Sequence, residues 1–156
     1  VTLAVHGVIM AKWAERKYAD AHSTVRRGFI YQLLLGGILL LIVLLGFKLI
    51  ILFLFGGKLA RPEELSGSLL LMFVVALSVI MSSVALISHK GLEAGERTAF
   101  MALLMGISVL VNLVLSFVLA ILLGALGVAI GLLVASSLYV FLSYLGSESV
   151  FRKAKI

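Results

Sequence analysis

Asn112 has the clearest opening for chemistry in this sequence. It stands in the middle of a long apolar run, with Ser108 and Ser116 one helical turn to either side. A carboxamide buried in lipid must find hydrogen-bond partners. They lie either on a neighbouring helix, as glue worth about 1–2 kcal/mol or less, or on a substrate held in a cavity. Ser78, Ser82, Ala85 and His89 fall at helical spacing on one face of another apolar run and offer the same two readings, packing or an aqueous cavity. His89, beside Lys90 at the end of its run, reads as a solvated interfacial residue. No second histidine or acid stands at metal-ligand spacing from it.

Other chemistry is excluded by residue type. There is no cysteine, so disulfides, thiolate catalysis and cysteine metal sites all drop out. No nucleophile–base pair, no paired carboxylates within an apolar run and no phosphate-cradling loop is present. The expectation is a protein that is not an enzyme and needs no cofactor and no metal.

The elements that would position Asn112 follow from composition. The chain is 63% hydrophobic and 13% charged, with a mean hydropathy of +1.25. Soluble domains sit near 45–50% and 25%, so this is an all-α integral membrane protein, a polytopic helix bundle. Apolar runs place about five transmembrane helices at 1–11, 28–46, 65–88, 98–122 and 126–146. The first is too short to cross alone, since eleven helical residues cover about 16 Å of a core roughly 30 Å thick. It reads as the end of a helix in a longer protein whose N-terminal half is missing from this sequence. The second apolar stretch continues to Phe55, and as one straight helix it would need a tilt beyond the usual range of about 40°. A break near Gly46 is therefore expected, leaving Lys48 at the interface, where its ammonium stays wet. Pro62, followed by Glu63 and Glu64, suits the first turn of the third helix. In the charged loop 89–97, Gly91 and Gly95 are placed to end one helix and start the next.

The last two spans form a hairpin about a hinge, Leu123 to Gly127. One arm carries Ser108, Asn112, Ser116 and Ala120, the other Gly127, Gly131 and Ala135. Small residues four apart let helix backbones approach closely in lipid. Charge sets the orientation. Lys12, Arg16, Lys17, Arg26, Arg27, Lys90, Arg97, Arg152, Lys153 and Lys155 fall on one side, and Lys48, Lys58 and Arg61 on the other. By the positive-inside rule the first side, with the C-terminus, is cytoplasmic. The net charge of +6 is thus a topology signal, and nucleic acid is not an expected partner. The basic run 12–27 is such a loop, with contact to anionic lipid headgroups as the alternative.

With these residues in view, the stretch GLEAGERTAFMALLMGISVLVNLVLSFVLAILLGALGVAIGLLVASSLYVFL (91–142) resembles the lipid II flippase (MurJ/MviN) family of the multidrug/oligosaccharidyl-lipid/polysaccharide flippase superfamily. The likeness rests on a charged loop before a helix with a mid-span Asn112-Leu113, then a Gly-x-x-Gly-x-Ala hairpin, Gly124 to Ala129. It extends to the basic loop and to LIILFLFGGK (49–58). It implies five consecutive helices from the C-terminal half of a multi-pass transporter of the bacterial cytoplasmic membrane. Its substrate would be an undecaprenyl-diphosphate-linked precursor, a lipid-linked oligosaccharide, flipped by alternating access without covalent chemistry. Membrane lipids and the rest of the same chain would be its other partners. The family's substrate-contacting arginines lie upstream of Val1, so none is carried over. An O-antigen or exopolysaccharide repeat-unit flippase, a cation-coupled multidrug exporter of the same superfamily and a non-transporting structural subunit are the alternatives.

Overall fold

The computed structural model describes residues 2–55 and 62–154. Within them the chain forms α1 (Thr2–Ala14), α2 (Tyr18–Phe55), α3 (Pro62–Ala94), α4 (Thr98–Leu123) and α5 (Ala125–Ala154). Four of these, α2 to α5, are long and apolar enough to cross a membrane. The all-α bundle expected from composition is present. At 13 residues, α1 covers about 20 Å and falls short of a span. Lys58, Arg61 and Lys155, together with Gly56 and Gly57, lie outside the described residues, as does the side chain of Lys48.

The helices run longer and the connections shorter than the sequence suggested. No break occurs at Gly46, because α2 continues without interruption through Phe55. The physical reason is that a mid-helix glycine costs only about 1 kcal/mol. An opened turn in lipid strands backbone groups, each costing several kcal/mol. The basic segment 12–27 is mostly helix, with a turn of three residues between α1 and α2. The same holds at 89–97: Gly91 lies inside α3, and the chain turns only at Gly95, Glu96 and Arg97. Both turns use one device. Lys17 N–H donates to the Lys12 carbonyl (2.9 Å) and Arg16 N–H to Trp13 (3.0 Å). Arg97 N–H donates to Leu92 and Glu96 N–H to Glu93, both at 3.0 Å. These are paired Schellman bonds closing a helix end. The left-handed residue each requires is Arg16 (φ 58°) in one and Glu96 (φ 54°) in the other, not a glycine.

The hairpin between α4 and α5 is tighter than a five-residue hinge. Gly124 alone leaves helical geometry, at φ 60° and ψ −137°, a conformation open essentially only to glycine. Its N–H caps the Ala120 carbonyl at 2.9 Å.

In space, α5 and α3 run parallel down the middle, α4 packs antiparallel on α5, and α1 and α2 pack on α3. The core is widest at the basic end and continues between α3 and α5 through Val84, Ala85 and Val140. Ile9, Ala21, Val25, Ile87, Ala94 and Phe151, from four helices, form one cluster. Trp13 closes it, with its ring 5.5 Å from Phe151 and 4.8 Å from Tyr18. Higher up, α4 buries only Leu104 among its 26 residues and exposes Leu110, Leu113, Val114, Phe117 and Ile121. In water such a surface would aggregate; against acyl chains it is the solvated state.

Candidate functional site: a hydroxyl-lined double groove

The expected polar and small residues sort into two groups. Asn112, Ser116, Gly127 and Gly131 belong to the hairpin seam. The Ser116 hydroxyl donates to Asn112 Oδ1 at 2.9 Å and approaches the Val128 carbonyl at 3.3 Å. Gly131 packs so closely that a β-carbon there would stand 2.5 Å from Ser116 Oγ and 2.8 Å from Ser116 N. A β-carbon on Gly127 would overlap the Leu119 carbonyl. Asn112 itself is half-buried and has its partner on its own helix.

Ser108 and Ala135 mark where this seam opens. Ser108 donates to the Ala135 carbonyl at 3.0 Å, and its side chain also lines a groove floored by α5 and walled by α3 and α4. This groove has a volume of about 410 Å³. Besides Ser108, its hydroxyls are those of Ser78, Ser82, Ser83, Ser136 and Tyr139. A second groove, about 240 Å³, lies between α2 and α3 and is lined by Gln32, Gly36, Leu39, Val43, Ala76 and Ile80 among others. The two share Val79 and Ser83, so they sit side by side astride α3. Together they make one face of the bundle concave and hydroxylated at membrane depth.

The hydroxyls are anchored without being saturated. Ser78 donates to Val75 O (2.7 Å), Ser82 to Ser78 O (2.9 Å) and Ser83 to Val79 O (2.9 Å). Ser82 and Ser136 also meet across the helices at 3.1 Å. Each hydroxyl has one donor and two acceptor sites. Ser82, Ser83, Ser108 and Tyr139 keep some exposure and so some acceptor capacity toward the groove, whereas Ser78 and Ser136 are buried. The accessible lining is mainly apolar with a few hydroxyls, which suits an uncharged amphipathic guest.

Ser78, Ser82, Ala85 and His89 thus serve both readings, packing on α5 at one end and lining the groove at the other. His89 differs from expectation. It is buried, at 6% exposure, not solvated, and its ring stands edge-on to Tyr139 at 4.8 Å, hydrogen-bonded to the phenol. The cause is a partner 50 residues away on α5, invisible to local sequence. Ser136, Tyr139, Ser143 and Ser147 recur at helical spacing on α5 and are all fully or partly buried. That stripe was the available signal for the floor of the groove.

Outside the spans, charges pair at the basic end. Lys90 donates to both Glu93 carboxylate oxygens at 2.8 Å, and His6 Nδ1 lies 3.4 Å from the same carboxylate. The hydrogen bond and charge of Lys17, 2.8 Å away, hold the Glu15 carboxyl below its ordinary value. Among the described residues no cluster of three or more histidines and acids could hold a metal ion. Compared with family models, with curated proteins and with solved structures, the chain gives no match.

Proposed function

We propose that this chain is part of a flippase that moves an undecaprenyl-diphosphate-linked glycan precursor, lipid II, across the bacterial cytoplasmic membrane. On this reading it works by alternating access, without covalent chemistry, and its basic end and C-terminus face the cytoplasm. The observation that carries the proposal is the concave face within the spans, mainly apolar but carrying the accessible hydroxyls of Ser82, Ser83, Ser108 and Tyr139, beside the apolar outer surface of α4. A sugar headgroup crossing the bilayer must exchange its water for protein hydrogen bonds. Neutral hydroxyls with spare acceptor sites supply them without trapping the guest by charge. The Gly124 hairpin and the Asn112-Leu113 pair, on which the family resemblance rests, add support.

The test blocks the groove in the full-length protein. Ser83 borders both grooves and bonds only to its own helix, so Ser83→Trp should fill them without breaking the fold. Flipping of lipid II in reconstituted vesicles should fall about tenfold or more, the order expected when a transition-state contact of 1.4 kcal/mol or more is lost. Thermal stability should be unchanged. Full transport by a stable Ser83→Trp protein would overturn the proposal.

A further inference from the structure

Where α2 meets α5 near the basic end, Arg26, Phe29, Ile30 and Tyr144 line a separate open cavity of about 340 Å³. Its wall is aromatic: the Phe29 and Tyr144 rings lie 5.7 Å apart at 54°. Its rim is cationic. Arg26 is exposed, and among the described residues no carboxylate lies within 4.0 Å of its guanidinium. The Glu148 carboxylate, one turn beyond Tyr144, accepts a hydrogen bond from the Tyr144 phenol and has Oε1 2.5 Å from His22 Nε2, so the acid that borders the cavity is already partnered.

Depth and direction narrow what this cavity can hold. Arg26 stands two residues before the apolar run that begins at Gly28, which is headgroup level. From Ile30 an exposed apolar track climbs α2 at four-residue spacing through Leu34 and Ile38, which are 59% and 58% exposed. An arginine fork at headgroup depth, an aromatic wall and an apolar track leading into the bilayer match an amphiphile with a phosphate head. We infer that this cavity binds an anionic glycerophospholipid of the leaflet at the basic end. Arg26 takes the phosphodiester, and one acyl chain lies along Ile30, Leu34 and Ile38. The phosphate chemistry is shared by free phosphate and by a polyprenyl diphosphate. The apolar track, which free phosphate would leave unused, favours a lipid. The inference stands on the membrane-spanning fold alone, whatever the protein transports.

The test is lipid retention by the full-length protein, delipidated in detergent and titrated with phosphatidylglycerol or phosphatidylcholine under native mass spectrometry. Arg26→Gln should weaken phosphatidylglycerol binding about tenfold, as loss of a bidentate charged contact does. Arg26→Lys, which keeps charge but not the fork, should fall between. Arg27→Gln is the control: it removes the same charge from an exposed neighbour that does not line the cavity, and binding should change less than about twofold. Equal losses in Arg26→Gln and Arg27→Gln would mean diffuse attraction and overturn the site. So would phosphatidylcholine binding as tightly as phosphatidylglycerol. Competition by millimolar inorganic phosphate would reassign the cavity to a free anion. Displacement by undecaprenyl diphosphate below the phosphatidylglycerol range would reassign it to a transported lipid. Either result would refute the phospholipid assignment.

Discussion

The two ends of the α3–α5 pair solve opposite problems. At the basic end α5 side chains press onto the glycines of α3 and the adjoining turn, and four helices share one core around Phe151 and Ile87. Halfway up, the same two helices stay in contact through Val84, Ala85 and Val140 and the Ser82–Ser136 pair, while open grooves lie to either side of α3. Side-chain size explains the contrast. Gly91 and Gly95 let α5 approach α3 until a β-carbon on Gly95 would meet Val150 at 2.6 Å. No glycine stands on α3 around Ser83, and side chains as large as Tyr139, Met105 and Leu132 line the gap without filling it. In lipid no hydrophobic force closes such a gap. A groove persists wherever packing does not remove it, so the closed end can anchor the fold while the open side remains available to a guest.

Substitutions at glycine separate these regimes. Gly127→Val should have the largest effect, because the new side chain overlaps the Leu119 carbonyl, backbone that cannot rotate away. The hairpin must part, with an expected loss of about 3 kcal/mol or more, read as a drop in melting temperature of the full-length protein. Gly91→Ala should cost less, about 1–3 kcal/mol, since its obstacles are side-chain atoms: the Ser147 hydroxyl, which can turn, and Ser147 Cβ and the Phe151 ring, both at 2.9 Å, which require a small helix shift. Gly37→Ala and Gly106→Ala should leave the protein as stable as the parent or more stable by up to about 1 kcal/mol, as nothing lies within 4 Å of either added carbon and alanine is the better helix former. A large loss at Gly37 or Gly106 would mean that the open side is packed against something. A negligible one at Gly127 would break the account of the hairpin.

Hydropathy made the spans readable, and the Gly124 turn with its small-residue arms made the hairpin readable, because both are local consequences of residue type. Local rules failed where a distant partner or the lipid decided the outcome. His89 looked solvated because Tyr139, the residue that buries it, lies on another helix. Gly46 looked like a break because tilt was weighed without the cost of opening backbone hydrogen bonds in lipid. Arg16 and Glu96 took a backbone conformation usually left to glycine, so sequence pointed to Gly91 and Gly95 instead. Ser108 was visible as a candidate, but the groove it lines was not. That groove depends on how α3 and α4 stand about α5, and a list of spans does not contain that arrangement.

The central claim is that the hydroxylated face meets water or a polar guest while the outer face of α4 meets lipid. The sequence has no cysteine, so single cysteines at Ser83 and Leu113 report the two faces, both within the apolar spans, in a cysteine-free full-length protein. Leu113 is 65% exposed, so its protection could come only from lipid or a covering partner. The account predicts that Ser83→Cys reacts with a charged, membrane-impermeant thiol reagent and is shielded by lipid II, while Leu113→Cys does not react. If Ser83→Cys is as protected as Leu113→Cys in vesicles opened to the reagent on both sides, the concave face is a lipid or packing surface and the claim is contradicted.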